Sequence, residues 1–148
     1  SLVLLLQRLG QPHVALLGEH PERGFVDLAA YPDAVPLPGT LVVRVDGPLV
    51  FANIDPVLEE VRRGIRESSP RPDVLVLDFE ATYEIDVTAA TALARLLENL
   101  RATGVEVRFA AVHAPVREYA ARLSLSPLAG LDDPYPSVVD ALADRTRP

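Results

Sequence analysis

Residues 74–91 read VLVLDFEATYEIDVTAAT, and no other stretch restricts the fold as much. An apolar run, 74–77, ends in a carboxylate at Asp78, a short polar link follows at 80–84, and Ile85-Asp86-Val87-Thr88-Ala89 opens a helical pattern. Continuous apolarity rather than alternation is the mark of a strand covered on both faces. A buried strand therefore runs into a loop, and the loop into a helix N-terminus. Side chains at such a junction face the open end of a sheet, where α/β proteins place their sites. Asp86 and Thr88 suit a helix start, because their oxygens accept backbone N–H groups that the first turn leaves unpaired. Function is expected at this loop.

The flanking sequence predicts the rest of the fold. Residues 13–18 (HVALLG) read as a strand, and 25–28 as a short extended piece inside a long, proline-rich link over 19–38. A strand follows at 40–45 (TLVVRV). The tight-turn dipeptide Asp46-Gly47 predicts that 49–52 (LVFA) returns as its hairpin partner. The first helix begins at 53–56, with Asn53 or Asp55 as cap and Pro56 in the first turn, where a missing N–H does no harm. Its apolar residues Ile54, Val57, Leu58, Val61 and Ile65 recur at helical spacing. The second helix, 87–103, carries Ala89, Leu93, Leu96, Leu97 and Leu100, and stops at Gly104. A strand at 105–112 leads to a third helix from Pro115, with Val116, Tyr119, Ala120 and Leu123 on one face. Residues 125–136 read as irregular, and 136–143 as a last short helix with Val138, Val139 and Leu142 inward. Alternating strands and helices imply right-handed crossovers and an α/β fold: a mixed, mainly parallel β-sheet flanked by α-helices. The hairpin would supply the antiparallel pairing.

Composition removes several function classes. The chain has 148 residues, enough for one domain with a real core, and a net charge of −7. With no basic stripe, nucleic acid and anionic lipid are poor partners. All 14 basic residues are Arg, which excludes Lys-based chemistry, and the absence of Cys excludes thiol catalysis and Cys-ligated metals. With no Met, the chain is expected to be a piece of a longer protein. No apolar run approaches the roughly 20 residues that span a bilayer, so this fragment is not expected to insert. The apolar stub at 2–6 is either the tail of a linker or an ordinary first helix or strand.

Catalytic and ligand-binding patterns are scarce. The eight glycines are scattered, and neither a phosphate loop nor a GxSxG elbow occurs. His13, His20 and His113 form no metal-binding pair. Asp78, Glu80, Glu84 and Asp86 cluster closely, but Asp86 reads better as a helix cap, and Glu80 and Glu84 as solvated loop residues, than as an acid–base pair. Arg62, Arg63, Arg66 and Arg71 read as a solvated face rather than an anion site. Thr88 has two readings: a first-turn residue whose hydroxyl helps satisfy the helix start, or an exposed hydroxyl placed for phosphorylation. Neither catalytic residues nor a metal or other cofactor is expected.

Asp78 at a strand end, followed by Ile85-Asp86-Val87-Thr88-Ala89 leading into ALARLLENLRATGVEVRFAAV, resembles the STAS domain. This domain is shared by bacterial anti-sigma-factor antagonists and the cytoplasmic tails of SulP-type anion transporters. Antagonists carry Asp-Ser-Ser-Gly here, with the second Ser phosphorylated. By that pattern Asp86 matches the motif Asp and Thr88 the phosphorylated position, while Val87 and Ala89 depart from it. The lead at 8–18 (RLGQPHVALLG), Tyr31-Pro32, Pro38-Gly39 and the stretch at 44–53 (RVDGPLVFAN) are similar to the SulP branch. That resemblance implies residues 1–12 as a linker from a preceding membrane domain and 13–148 as a STAS domain. It further implies a non-catalytic, regulatory role at the cytoplasmic face of the inner membrane, within a transporter of sulfate, bicarbonate, dicarboxylate or a related anion. The implied partners are its own transmembrane domain, a second copy in a homodimer, and weakly bound nucleotide. Asp86, Val87, Thr88 and Ala89 would form the regulatory or nucleotide-binding loop. The alternative is a stand-alone antagonist switched by phosphorylation at Thr88.

Overall fold

Thr40–Asp46 (β3) alternates two apolar sets: Leu41, Val43 and Val45 enter one core, and Val42 enters another. A strand with two buried faces belongs inside a sheet covered on both sides. The computed structural model describes residues 1–4 and 12–144. Among these, β3 is the middle strand of a five-stranded sheet that also contains His13–His20 (β1), Gly24–Asp27 (β2), Val74–Asp78 (β4) and Glu106–Ala110 (β5), in the order β2-β1-β3-β4-β5. β3, β4 and β5 run parallel, while β1 is antiparallel to both β2 and β3. The sheet is mixed, as expected, and β2 falls on the extended piece foreseen near 25–28.

The antiparallel pairing has a different source from the one predicted. Residues 49–52 do not return along β3, because β1 and β4 already occupy both of its edges. The chain turns away at Gly47 (φ 146°), and Leu49 instead makes an isolated parallel bridge to Ile85.

Ile54–Glu67 (α1), Val87–Ala102 (α2) and Ala114–Leu123 (α3) cover one face of the sheet. Val61 of α1, Leu97 of α2 and Val116 of α3 are almost fully buried there, with Leu75 and Phe109 from the strands. Phe79 and Phe109 meet edge to face, 5.6 Å between ring centroids. Ser126–Leu131 forms a 3-10 turn within the stretch read as irregular, burying Leu128 and Leu131 in the same core. The opposite face holds Ala15, Leu17, Val42, Val76 and Ala110, with Val138–Ala143 (α4) packed over β4 and β5 and Phe25 and Leu37 also packed against this cluster. Ser137 caps α4 by accepting the Asp140 N–H. That start turns Val138 and Ala141 inward and leaves Val139 61% exposed, so Val139 was wrongly placed in the core; Leu142 is partly buried.

Residues 2–4 are helical and exposed, while the remainder of the apolar lead lies outside the described residues. Because β3, β4 and β5 run parallel, the loops at 47–53, 79–86 and 111–113 all leave the same end of the sheet.

Candidate functional site

The site is built by stitching two of these loops together. Asp86 occupies the N-cap of α2 in an extended conformation, and its Oδ1 accepts the Ala89 N–H at 2.8 Å. Its Oδ2 accepts the Phe51 N–H, also at 2.8 Å. One carboxylate therefore closes the helix start and fastens loop 47–53 to it. The backbone repeats the link: Leu49 N–H donates to the Glu84 carbonyl at 2.9 Å, and Asp86 N–H to the Leu49 carbonyl at 3.1 Å. Asn53 is buried at the N-cap of α1, but its side chain does not cap the helix. Its Oδ1 accepts from Val50 N and its Nδ2 donates to the Pro48 carbonyl, fixing the turn that presents Phe51.

Loop 79–86 is held from below and from the side. The fully buried Thr82 hydroxyl donates to the Val45 carbonyl at 3.1 Å. His113, at the N-cap of α3, donates from Nε2 to the Glu80 carbonyl at 2.6 Å, and its ring stacks on Tyr83 with centroids 4.0 Å apart. Asp78 Oδ1 accepts the Glu80 N–H at 3.0 Å. Burial holds the Asp78 carboxyl above the ordinary aspartate range, against the pull of that N–H.

The four residues singled out from the sequence are thus consecutive but face different ways. Asp86 is half-buried and Ala89 fully buried, so Ala89 contributes only its N–H; Val87 and Thr88 point outward. Among the described residues the Thr88 hydroxyl has no hydrogen-bond partner. It does not share in capping, because the Asp86 carboxylate already does that alone. Val87 and Thr88 line an open groove of about 430 Å³ with Phe51, Ile54, Asp55, Thr91 and Arg95. Phe51, 72% exposed, was not recognised as a site residue, because the Asp86 carboxylate that fixes its N–H lies 35 residues away in the sequence. Arg95 was also passed over; two helical turns beyond Thr88, it lies on the same side of α2.

The positive end of the α2 dipole opens into this groove, with no acidic residue in the first turn beyond the cap. An anion there would gain from the dipole and Arg95, and would be opposed by Asp55 and Asp86. The carboxylates do not form an acid–base pair: Asp78 turns into the sheet, Asp86 is committed to two amides, and Glu80 and Glu84 are exposed. Arg62, Arg63 and Arg66 pair with Glu59 and Glu60 along α1, and Arg71 donates to the Thr103 hydroxyl. Among the described residues no group of three His, Cys, Asp or Glu side chains is placed to hold a metal ion. Nor is any helix there long and apolar enough to cross a membrane.

A mixed five-stranded sheet flanked by helices on both faces, with a capped helix following its central parallel strand, defines an α/β domain. The chain belongs to the STAS domain family, whose model matches residues 31–141. It is 32% identical to a probable sulfate transporter of Mycobacterium tuberculosis, an alignment that covers 98% of this chain but only 27% of the relative. Among solved structures it is similar to the murine Slc26a9 anion transporter in the inward-facing state (TM-score 0.81, 22% identity, 95% of this chain and 23% of that one). It is similar also to an anti-sigma factor antagonist from Mycobacterium paratuberculosis (TM-score 0.60, 18% identity, 88% of this chain and 92% of that one). At these identities the two structures establish the fold alone.

Proposed function

We propose that this chain is the non-catalytic, regulatory STAS domain of a SulP-type anion transporter, held at the cytoplasmic face of the membrane. The observation that carries the reading is the alignment of almost the whole chain, including residues before the family match, with a quarter-length portion of a sulfate transporter. Residues 1–12 act as the link and 13–148 as the domain. The partners are the transporter's own membrane domain and a second copy. Asp86, Val87, Thr88 and Ala89, with Phe51 beside them, form the surface through which the domain is regulated, by weak nucleotide binding at the α2 N-terminus or by phosphorylation of the exposed Thr88.

The antagonist reading is less well supported at the loop itself. Val87 and Ala89 stand where that branch carries Ser and Gly, and Val87 presents an exposed aliphatic surface beside Phe51. Fractionation of the native polypeptide with an antibody against this domain separates the two. A transporter domain is expected in the membrane fraction, resisting alkaline extraction, on a polypeptide about four times the length of this chain, in line with the 27% coverage. A chain of about this length in the aqueous fraction would overturn the reading.

A further inference from the structure

A row of charged side chains crosses the sheet face opposite α1 and α2, near the carboxyl ends of the parallel strands. Arg44 and Asp46 alternate with the inward Val43 and Val45 of β3, and Asp78 follows Val76 on the same face of β4. Arg44 grips Asp46 on its own strand, with Nε 2.6 Å from Oδ1 and Nη2 3.3 Å from Oδ2. Directly opposite Arg44 in the parallel register stands Asp78. Asp78 is only 4% exposed; its Oδ1 takes the Glu80 N–H, while its Oδ2, which makes no hydrogen bond among the described residues, is not closed off from solvent. Adjacent strands lie about 4.8 Å apart, and a guanidinium has five N–H donors, of which Asp46 engages two.

We propose that Arg44 is shared between these two carboxylates, and that the protonation of Asp78 decides which one it holds. Arg44 lies on Asp46 here, and it stays there while Asp78 is neutral. When Asp78 ionises, a buried anion faces Arg44 across one strand spacing, and Arg44 swings its free donors onto it. The swing is relayed to the candidate site through Glu80. The N–H of that residue is held by Asp78 and its carbonyl by His113, and it opens the loop that ends at Asp86.

The surroundings favour this exchange. Burial raises the Asp78 carboxyl above the ordinary aspartate range, and Glu80 and Asp46 add to the effect, while the Glu80 N–H and Arg44 oppose it. Beyond Arg44, His13 and Asp27 are paired with each other at 2.8 Å. On the β5 side Asp78 meets Ala110, the uncharged neighbour of Tyr135, and Arg108 is committed to Glu106 and the Ala141 carbonyl. Among the described residues Arg44 is therefore the arginine that acts on Asp78, although Asp27 also attracts it.

The test is a carboxyl-carbon NMR titration of Asp78 in this chain, with amide shifts of Glu80 and Thr88 followed in the same samples. Asp78 is expected to titrate above the ordinary aspartate range, with both amides moving at the same midpoint. Asp46→Asn frees Arg44 and should bring the Asp78 midpoint down; Arg44→Gln should push it up. Either midpoint left unmoved, or Glu80 and Thr88 amides silent through the Asp78 transition, overturns the proposal.

Discussion

The Asp86 carboxylate closes the first turn of α2 with one oxygen and holds the Phe51 N–H with the other, so truncation removes two charge-assisted hydrogen bonds at once. Asp86→Ala is expected to lower stability by about 2 kcal/mol, the upper end for a lost N-cap. Asp86→Asn, which keeps one acceptor, should lose less. Urea unfolding midpoints check both, and an unchanged midpoint for the alanine variant would contradict the bridging role. The cap was legible in the sequence because capping is local. Phe51 was not, because its partner lies 35 residues away and only the folded chain brings the two together. At Asp78 and Asp27 the pH dependences have opposite signs. Asp78 is raised in the folded protein by burial, so its contribution is fully present below the unfolded value near 3.8 and is lost as pH rises through the folded value. Asp27 is lowered: burial pushes it up, but the His13 hydrogen bond and the Ala29 N–H outweigh that, so its contribution is lost as the solution is acidified. Asp78→Asn, which still offers an acceptor to Glu80, is therefore expected to raise Tm at neutral pH, with the gain vanishing in acid. A Tm difference that does not change with pH would count against the buried, raised carboxyl.

At the level of elements, glycines mark where segments cross closely. A Cβ on Gly18 of β1 would lie 2.4 Å from Leu28 Cδ2 and 2.8 Å from the Val35 carbonyl oxygen, because the proline-rich link passes directly over it. Gly18→Ala is expected to destabilise the fold by about 1–3 kcal/mol through overpacking against backbone. A Cβ on Gly64 of α1 would meet only the methyl ends of Leu41 and Leu16, at 3.1 and 3.2 Å, which can shift. There the gain of about 1 kcal/mol in helix propensity offsets the crowding, leaving little net change. Denaturation of the two variants side by side checks the contrast; equal losses would contradict it. Periodicity made α1, α2 and the buried β4 legible. What it could not supply was the partner of β3. The Asp46-Gly47 dipeptide signals a turn correctly, yet whether a turn closes a hairpin depends on a free strand edge, and β1 takes that edge from far back in the sequence. The short α4 failed for a related reason: three apolar candidates in six residues leave the inward face undetermined until Ser137 fixes where the helix begins.

For the molecule as a whole, the chain has its own two-sided core and a loop-and-helix surface at one end of the sheet, but spans only 27% of the transporter relative it matches. In the proposed division of labour this domain regulates flux while ion selection lies in the remainder of the polypeptide. Anion uptake into proteoliposomes tests it most directly, comparing the intact transporter with one lacking residues 11–148 across sulfate, bicarbonate, chloride and a dicarboxylate. The account predicts a lowered or misregulated rate with the order of preference among the anions unchanged. A change in which anion is selected would place this domain in the permeation path and contradict the account.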